Sequence, residues 1–355
     1  MHVVERTASR ITSVLNDAVT QGVFPGAAWA VGRKEALMAE GAVGRMAEPR
    51  FDDRPMTLDT VFDLASLTKV VATLPSILLL AQAGTVHLDE PVGTYVRDFA
   101  GPDKERVTLR HLLTHTGGLV SHRDFYRTFR GPEVVRAAAA EPLGREPGTR
   151  VEYSDLGFIL LGEVVRAASG QPIDQFAEEH IFHPLGMTQT RYVPDPELRA
   201  RIAPTEIPPD ADDPKRGVVH DENAAAMGGV SGHAGLFAPL GDLVRYLTGI
   251  WLGPELLSPW TRESALRLWT DGLGGRRGLG WVLRPDGYDP TGDFWPTTTF
   301  SHTGFTGTSV AADPVSGVWA ILLTNRVHFG RGTAIGTARR RFYNAVAGCL
   351  TQGDR

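Results

Sequence analysis

Several residue types that would announce a function are scarce or missing. The 355-residue chain has one cysteine, Cys349; it can form no internal disulfide, and no CxxC pair is present to hold zinc. Bases do not outnumber acids: 36 Lys and Arg stand against 41 Asp and Glu, a formal charge of −5, which argues against a grip on a phosphate backbone. Long apolar runs are missing too. The most hydrophobic stretch, Val70 to Ala83, is broken by Thr73, Pro75, Ser76 and Gln82 and falls short of the roughly 20 apolar residues a bilayer requires. Met1 to Asp17 carries Glu5, Arg6, Arg10 and Asp17, without the apolar centre of a signal peptide. The expectation is a cytoplasmic protein with no membrane or nucleic-acid partner. There is no GxGxxG after a strand, no GxxxxGK[ST] and no HExxH, so no cofactor is expected. Lysine is rare: Lys34, Lys69, Lys104 and Lys215 are all there are, which makes the surroundings of each one informative.

What is present reads as an ordinary globular chain. Hydrophobic residues make up 42% and charged residues 22%, and the length suggests about two domains. Ile11, Val14, Leu15 and Ala18 have helical spacing, and Gly22 stops that helix. Ala27 to Val31 and Ala36 to Ala42 flank the turn Gly32-Arg33-Lys34 and predict a β-hairpin. Helical patterns follow at Val70 to Ala83 (bent at Pro75), Leu109 to Leu113, Glu133 to Ala140, Leu156 to Ala168 and Leu240 to Leu252. The proline-rich segment Pro204 to Pro214 is a loop. Strand patterns return at Thr297 to His302, Thr308 to Ala312 and Val318 to Thr324, before a last helix bearing Ala338, Phe342, Ala345, Val346 and Leu350. Strands at both ends around a helical middle predict an α+β fold, one layer built from the two termini with a helical domain inserted between them. The expected boundaries are 1–60 with 290–355 for the domain formed by both termini and 61–289 for the mainly helical one.

Three segments carry candidate chemistry. Ala65-Ser66-Leu67-Thr68-Lys69 opens the most apolar helix, and positions i and i+3 share a face, so the Ser66 hydroxyl and Lys69 amine can meet. A serine attacks only when something takes its proton, and a desolvated lysine can approach neutrality. In Glu152-Tyr153-Ser154-Asp155, a phenol beside an ammonium can accept a proton, while Asp155 has the look of an N-cap for the following helix. Ser301-His302-Thr303-Gly304-Phe305 lies on a C-terminal strand whose backbone N–H groups can face an oxyanion. A second triplet, His115-Thr116-Gly117, ends a helix, where such residues have a structural explanation. Gly229-Val230-Ser231-Gly232-His233 lacks the final glycine of a nucleophile elbow. His220-Asp221-Glu222-Asn223 contains ligand-type residues without metal-site spacing. That block and Trp281 are further candidates for the cleft wall.

In this order, Ser-x-x-Lys, Tyr-x-Asp and His-Thr-Gly resemble the serine β-lactamase and penicillin-binding-protein family, in particular its class C β-lactamase and family-VIII-like esterase branch. Leu88-Asp89-Glu90-Pro91-Val92, His111 to Leu119, Pro147-Gly148, His183-Pro184-Leu185-Gly186-Met187 and Gly278-Leu279-Gly280-Trp281 are similar to consecutive family blocks. The resemblance spans roughly residues 10 to 350 and implies the fold: an antiparallel β-sheet flanked by N- and C-terminal helices plus an inserted all-helical domain, with the active site at their interface. It implies an acylated Ser66, an activating Lys69 and Tyr153 as base or proton shuttle, with the backbone N–H groups of Ser66 and Phe305 as oxyanion hole. Asp155, His302, Thr303 and Gly304 would bind substrate. Two positions depart from the family pattern: Asp155 stands where an Asn is usual, and His302 where the strict motif has Lys. A carboxylate accepts but cannot donate a hydrogen bond, and a neutral imidazole anchors a carboxylate weakly. The expectation is therefore an esterase-type hydrolase acting on a small acyl compound. A β-lactamase or D-Ala-D-Ala carboxypeptidase is the alternative, and a non-catalytic ligand-binding protein is a third reading.

Overall fold

A computed structural model describes residues 2–350. Its main sheet has six strands: β1 (Gly26–Arg33), β2 (Ala36–Gly44), β6 (Val282–Leu283), β7 (Phe300–Thr303), β8 (Ser309–Ala312) and β9 (Val318–Thr324). They lie in the order β2-β1-β9-β8-β7-β6, and every neighbouring pair is antiparallel. The predicted hairpin is β1–β2. Pairing of β1 with β9, with Ala30 opposite Ile321, joins the two ends of the chain.

Strand alternation explains why both faces of this sheet are covered. Ala27, Trp29 and Val31 of β1 and Ala320 and Leu322 of β9 point to one side, where they pack with Ile11 and Leu15 of the N-terminal helix His2–Thr20. Phe342, Tyr343 and Val346 of the C-terminal helix Ile335–Leu350 complete that layer. Ala28 and Ala30 of β1 and Ile321 and Leu323 of β9 point the other way. They join Leu67, Val70, Leu74 and Ile77 in the larger core of the chain's middle. That middle is helical for the most part, but it also holds a small antiparallel sheet, β3 (Val61–Asp63), β5 (Leu236–Pro239) and β4 (Arg191–Tyr192), in the order β3-β5-β4. Strands of two to four residues are too short for a period-2 signal.

The apolar helix after Ser66 is assembled from three pieces: a 3₁₀ turn at Ala65–Leu67, a wide π-type turn at Lys69–Thr73, and α-helix at Leu74–Gln82. Pro75 falls in the first turn of the α-helical piece, where its missing N–H is harmless. The irregularity is taken up one turn earlier. Ala65–Gln82 has the length and apolarity of a membrane span, and 78% of it is buried inside the fold.

Candidate active site

The site forms where β3 runs into the apolar helix. Ala65 adopts φ 46°, a left-handed conformation that costs an L-residue free energy and makes a sharp strand-to-helix turn. Asp63, 2% exposed, holds this turn. One of its oxygens accepts the Ala65 N–H at 2.8 Å and the other the His220 N–H at 2.6 Å. Burial raises the proton affinity of that carboxyl, while the two backbone donors oppose the rise.

Ser66 and Lys69 meet as their spacing predicts. Lys69 Nζ, fully buried, donates to Ser66 Oγ at 3.0 Å and to the His233 carbonyl at 3.0 Å. It also forms an ion pair with Asp155 Oδ1 at 2.7 Å. Burial by itself pushes the ammonium toward losing its proton, but the Asp155 charge overrides it and holds Lys69 above the ordinary lysine range. Asp155, conversely, is kept well below the usual carboxylate range: its burial disfavours the charge and Lys69 more than compensates. Tyr153 reaches the same point from a loop, and its phenol interacts with both Lys69 and Ser66. Burial raises its proton affinity and the ammonium partly offsets this.

The N-cap of the helix Asp155–Ser169 is Ser154, whose Oγ accepts the Gly157 N–H. Asp155 is thus not the cap. It sits in the first turn with its carboxylate free to face Lys69. The discounted triplet also takes part. His115 Nδ1 accepts the Ser154 N–H at 3.1 Å, its carbonyl accepts the Glu152 N–H at 2.8 Å, and its ring packs 4.5 Å from that of Tyr153. His115 therefore shapes the loop that presents the phenol. Nothing in its local sequence separates that role from helix termination.

On the opposite wall, the turn after β7 is strapped to β3. Thr306 Oγ1 donates to the Asp63 carbonyl and Thr308 Oγ1 to the Leu64 carbonyl. Two arginines that sequence reasoning missed hold the same turn. Arg339 donates to the carbonyls of Gly304 and Thr308 at 2.7 Å each, and Arg326 to that of Phe305 at 2.8 Å. Within Arg339-Arg340-Arg341 the first arginine has no signal marking it as buried. His302 is buried, and its Nδ1 lies 3.0 Å from the Thr303 carbonyl. A carbonyl only accepts, so Nδ1 carries the proton and Nε2 is left as an acceptor. Burial, reinforced by Lys69, lowers the His302 pKa to about 3, so the ring is neutral near pH 7.

Ser66, Tyr153, His302, Thr303, Gly304 and Phe305 line one cavity of about 230 Å³, whose walls include Arg277 and Tyr288. Asp155 stands behind it, against Lys69. A larger cavity of about 700 Å³, bordered by Lys34, Arg262 and Val315, contains none of these residues. Trp281 does not line the cleft; it is fully buried against Trp251 and Phe300. The block at 220–223 is spent on separate partners: His220 on Glu206, Asp221 on His233, Glu222 on Arg331 and Asn223 on the Tyr126 N–H. Among the described residues no group of three metal-ligating side chains converges.

Comparisons with known proteins bear on the family and the fold. A sequence model of the Beta-lactamase family matches residues 11–344. A protein of Escherichia coli (strain K12), provisionally named D-alanyl-D-alanine carboxypeptidase, is 33% identical over 310 residues, covering 77% of this chain and 70% of its own. An N-acetylmuramyl-L-alanine amidase of Bacillus subtilis (strain 168) is 30% identical over 352 residues, covering 86% of this chain and 78% of its own. The structure of EstCE1, described as a hydrolase with promiscuous acyltransferase activity, superposes with a TM-score of 0.81 at 22% identity, covering 98% of this chain and 100% of that one. Spanning nearly the whole sequence, the family match shows that the chain belongs to the Beta-lactamase family of serine hydrolases.

Proposed function

We propose that this chain is an esterase-type hydrolase that cleaves small acyl compounds through an acyl-enzyme on Ser66. The observation that supports this most is the convergence of Ser66, Lys69 and Tyr153 beside a small cavity that Ser66 and Tyr153 line, with the Ser66 hydroxyl 3.0 Å from the Lys69 ammonium. Asp155 keeps Lys69 charged, so the proton missing from the active form comes from the coupled Lys69–Tyr153 pair as a unit. In that form the pair takes the Ser66 proton as Oγ attacks the acyl carbon, and returns it to the departing alkoxide. Water then enters and gives its proton to the same pair as its oxygen attacks the acyl carbon; the bond from that carbon to Oγ breaks, the pair returns the proton to Ser66 Oγ, and the acid leaves. The backbone N–H groups of Ser66 and Phe305 would receive the developing oxyanion.

The reading as a D-Ala-D-Ala carboxypeptidase or β-lactamase draws on the names of relatives but meets two chemical obstacles. Asp155 can only accept, and one of its oxygens is taken by Lys69, so it cannot donate to a substrate amide carbonyl as an asparagine does. His302 presents a neutral ring whose other nitrogen is an acceptor, which does not attract a carboxylate. The test compares a short-chain p-nitrophenyl ester with a chromogenic cephalosporin, using Ser66→Ala as control. Ester turnover that drops by at least about 10³-fold in the variant is expected. Cephalosporin turnover in preference to ester would favour the peptidase and lactamase class. No turnover of either, with no mass shift from a fluorophosphonate, would favour a binding protein.

A further inference from the structure

A carboxylate at position 155 brings a problem that an amide would not: its charge, 2.7 Å from Lys69, tightens the hold on the very proton the site must release. The structure also shows what counterbalances it. Oδ1 of Asp155 faces Lys69. Oδ2 faces His122 Nδ1 at 3.3 Å, and the other ring nitrogen, Nε2, lies 3.5 Å from Asp124 Oδ1. A neutral imidazole has one N–H and can serve one of two flanking carboxylates; the cation serves both. We propose that His122 is a positioning residue of this site, holding the second oxygen of Asp155 as an imidazolium so that the carboxylate is shared between two cations and grips the Lys69 proton less tightly. This rests on the hydrolase reading and deepens it.

The contacts form a continuous row: His122 to Asp155 at 3.3 Å, Asp155 to Lys69 at 2.7 Å, Lys69 to Ser66 at 3.0 Å. The row runs from solvent to the nucleophile, for the His122 side chain is 39% exposed and that of Lys69 is 0%. The charged groups around His122 favour its cation. Asp155 lies across from it, Asp124 on its own loop, and Asp221 heads the helix Glu222–Ala226. The neighbouring Arg123 is committed to Glu141 at 2.8 Å and touches only the His122 backbone carbonyl. Bonding to Asp155 raises the proton affinity of His122 above that of an ordinary histidine, with burial partly opposing.

The sign follows from charge. An imidazolium near Lys69 disfavours a second positive charge, so removing it makes the Lys69–Tyr153 pair retain its proton to higher pH. The experiment is the pH profile of kcat/KM for ester hydrolysis by the full chain, in wild type, His122→Gln, His122→Lys, Asp155→Asn and the His122→Gln/Asp155→Asn double variant. His122→Gln is expected to move the ascending limb up by about half to one pH unit, a three- to tenfold loss on that limb with the plateau kept. His122→Lys restores the limb, and in the Asp155→Asn background His122→Gln moves nothing. A limb that stays put in His122→Gln, or moves equally in both backgrounds, overturns the proposal. Should His122→Gln fail to fold, NMR titration of the His122 ring in wild type and Asp155→Asn decides: its midpoint falls when the carboxylate is removed, and an unchanged midpoint overturns the proposal. The two readings fail differently. A wild type that labels with fluorophosphonate but shows no shift sinks this inference alone, whereas one that neither turns over ester nor labels sinks the hydrolase reading and this one with it.

Discussion

Gly304 has no room for a side chain. A Cβ there would stand 2.1 Å from Thr308 Oγ1 and 2.4 Å from the Leu64 carbonyl, and the second of these atoms is backbone that cannot rotate away. Gly304→Ala must therefore displace the strand end that carries the Phe305 N–H. Since an oxyanion donor must be aimed to within a fraction of an ångström, kcat is expected to fall roughly 10²- to 10³-fold. Stability is expected to fall by about 1–3 kcal/mol. Steady-state ester kinetics and urea denaturation measure the two effects; unchanged kcat would show that Phe305 N–H does not serve the reaction. At the same scale Asp155 and Lys69 show how one atom type decides a mechanism. An amide at 155 would leave Lys69 freer to lose its proton, whereas with the carboxylate the proposed mechanism has Lys69 and Tyr153 act together.

The element that matters most is the strand-to-helix turn at Asp63–Ser66. Ala65 is left-handed at φ 46°, a conformation costing an L-residue about 1–2 kcal/mol relative to glycine's freedom. Ala65→Gly relieves that strain but adds unfolded-state entropy worth roughly 0.4–1 kcal/mol. The expected net result is a gain of about 1 kcal/mol or less in the urea-derived stability. A clear loss would mean that the Ala65 methyl, which is buried, contributes more by packing than the conformation costs. The helix that follows depends on its neighbours for alignment. Thr68, Lys69 and Thr73 are each tied to the segment at 232–236, through the Leu236 N–H, the His233 carbonyl and the Gly232 carbonyl. The π-type turn at Lys69–Thr73 widens the helix across the part that bears the Lys69 and Thr73 contacts.

Across the whole molecule, buried histidines set the response to acid. His115 and His302 are both held below the ordinary histidine value, chiefly by burial, His302 at about 3. A group whose folded pKa is depressed lends stability that is present above its unfolded pKa, here about 6.5, and lost as pH falls toward the folded value. Each such histidine then removes about 1.4 kcal/mol per pH unit below 6.5. His122, raised by Asp155, works in the opposite sense: its contribution is present below about 6.5 and lost as pH rises through its folded value. The depressed carboxylates Asp155 and Asp221 act only below about pH 4. The urea midpoint is therefore expected to fall between pH 7 and pH 5, before the depressed carboxylates titrate. His302→Asn should remove close to one proton's worth of that slope, and a midpoint flat over this range would contradict the assignment.

The sequence by itself determined the secondary elements with long, regular periodicity, the sheet built from both ends of the chain, and the Ser66–Lys69 pair. These depend on local spacing: a helix repeats every 3.6 residues and a strand every two, so neighbours one turn apart are predictable from position alone. The short strands β3 to β5, the buried roles of Arg326 and Arg339, the support of Tyr153 by His115 and the place of Asp155 against Lys69 and His122 were decided by the tertiary structure. Each of these is a contact between segments tens to hundreds of residues apart, and side-chain chemistry alone does not say which of several charged or aromatic groups will be buried there. His115 and Arg339 make the point from opposite directions. One ends a helix and the other opens a run of three arginines, and burial, which no local pattern encodes, gave each its partner.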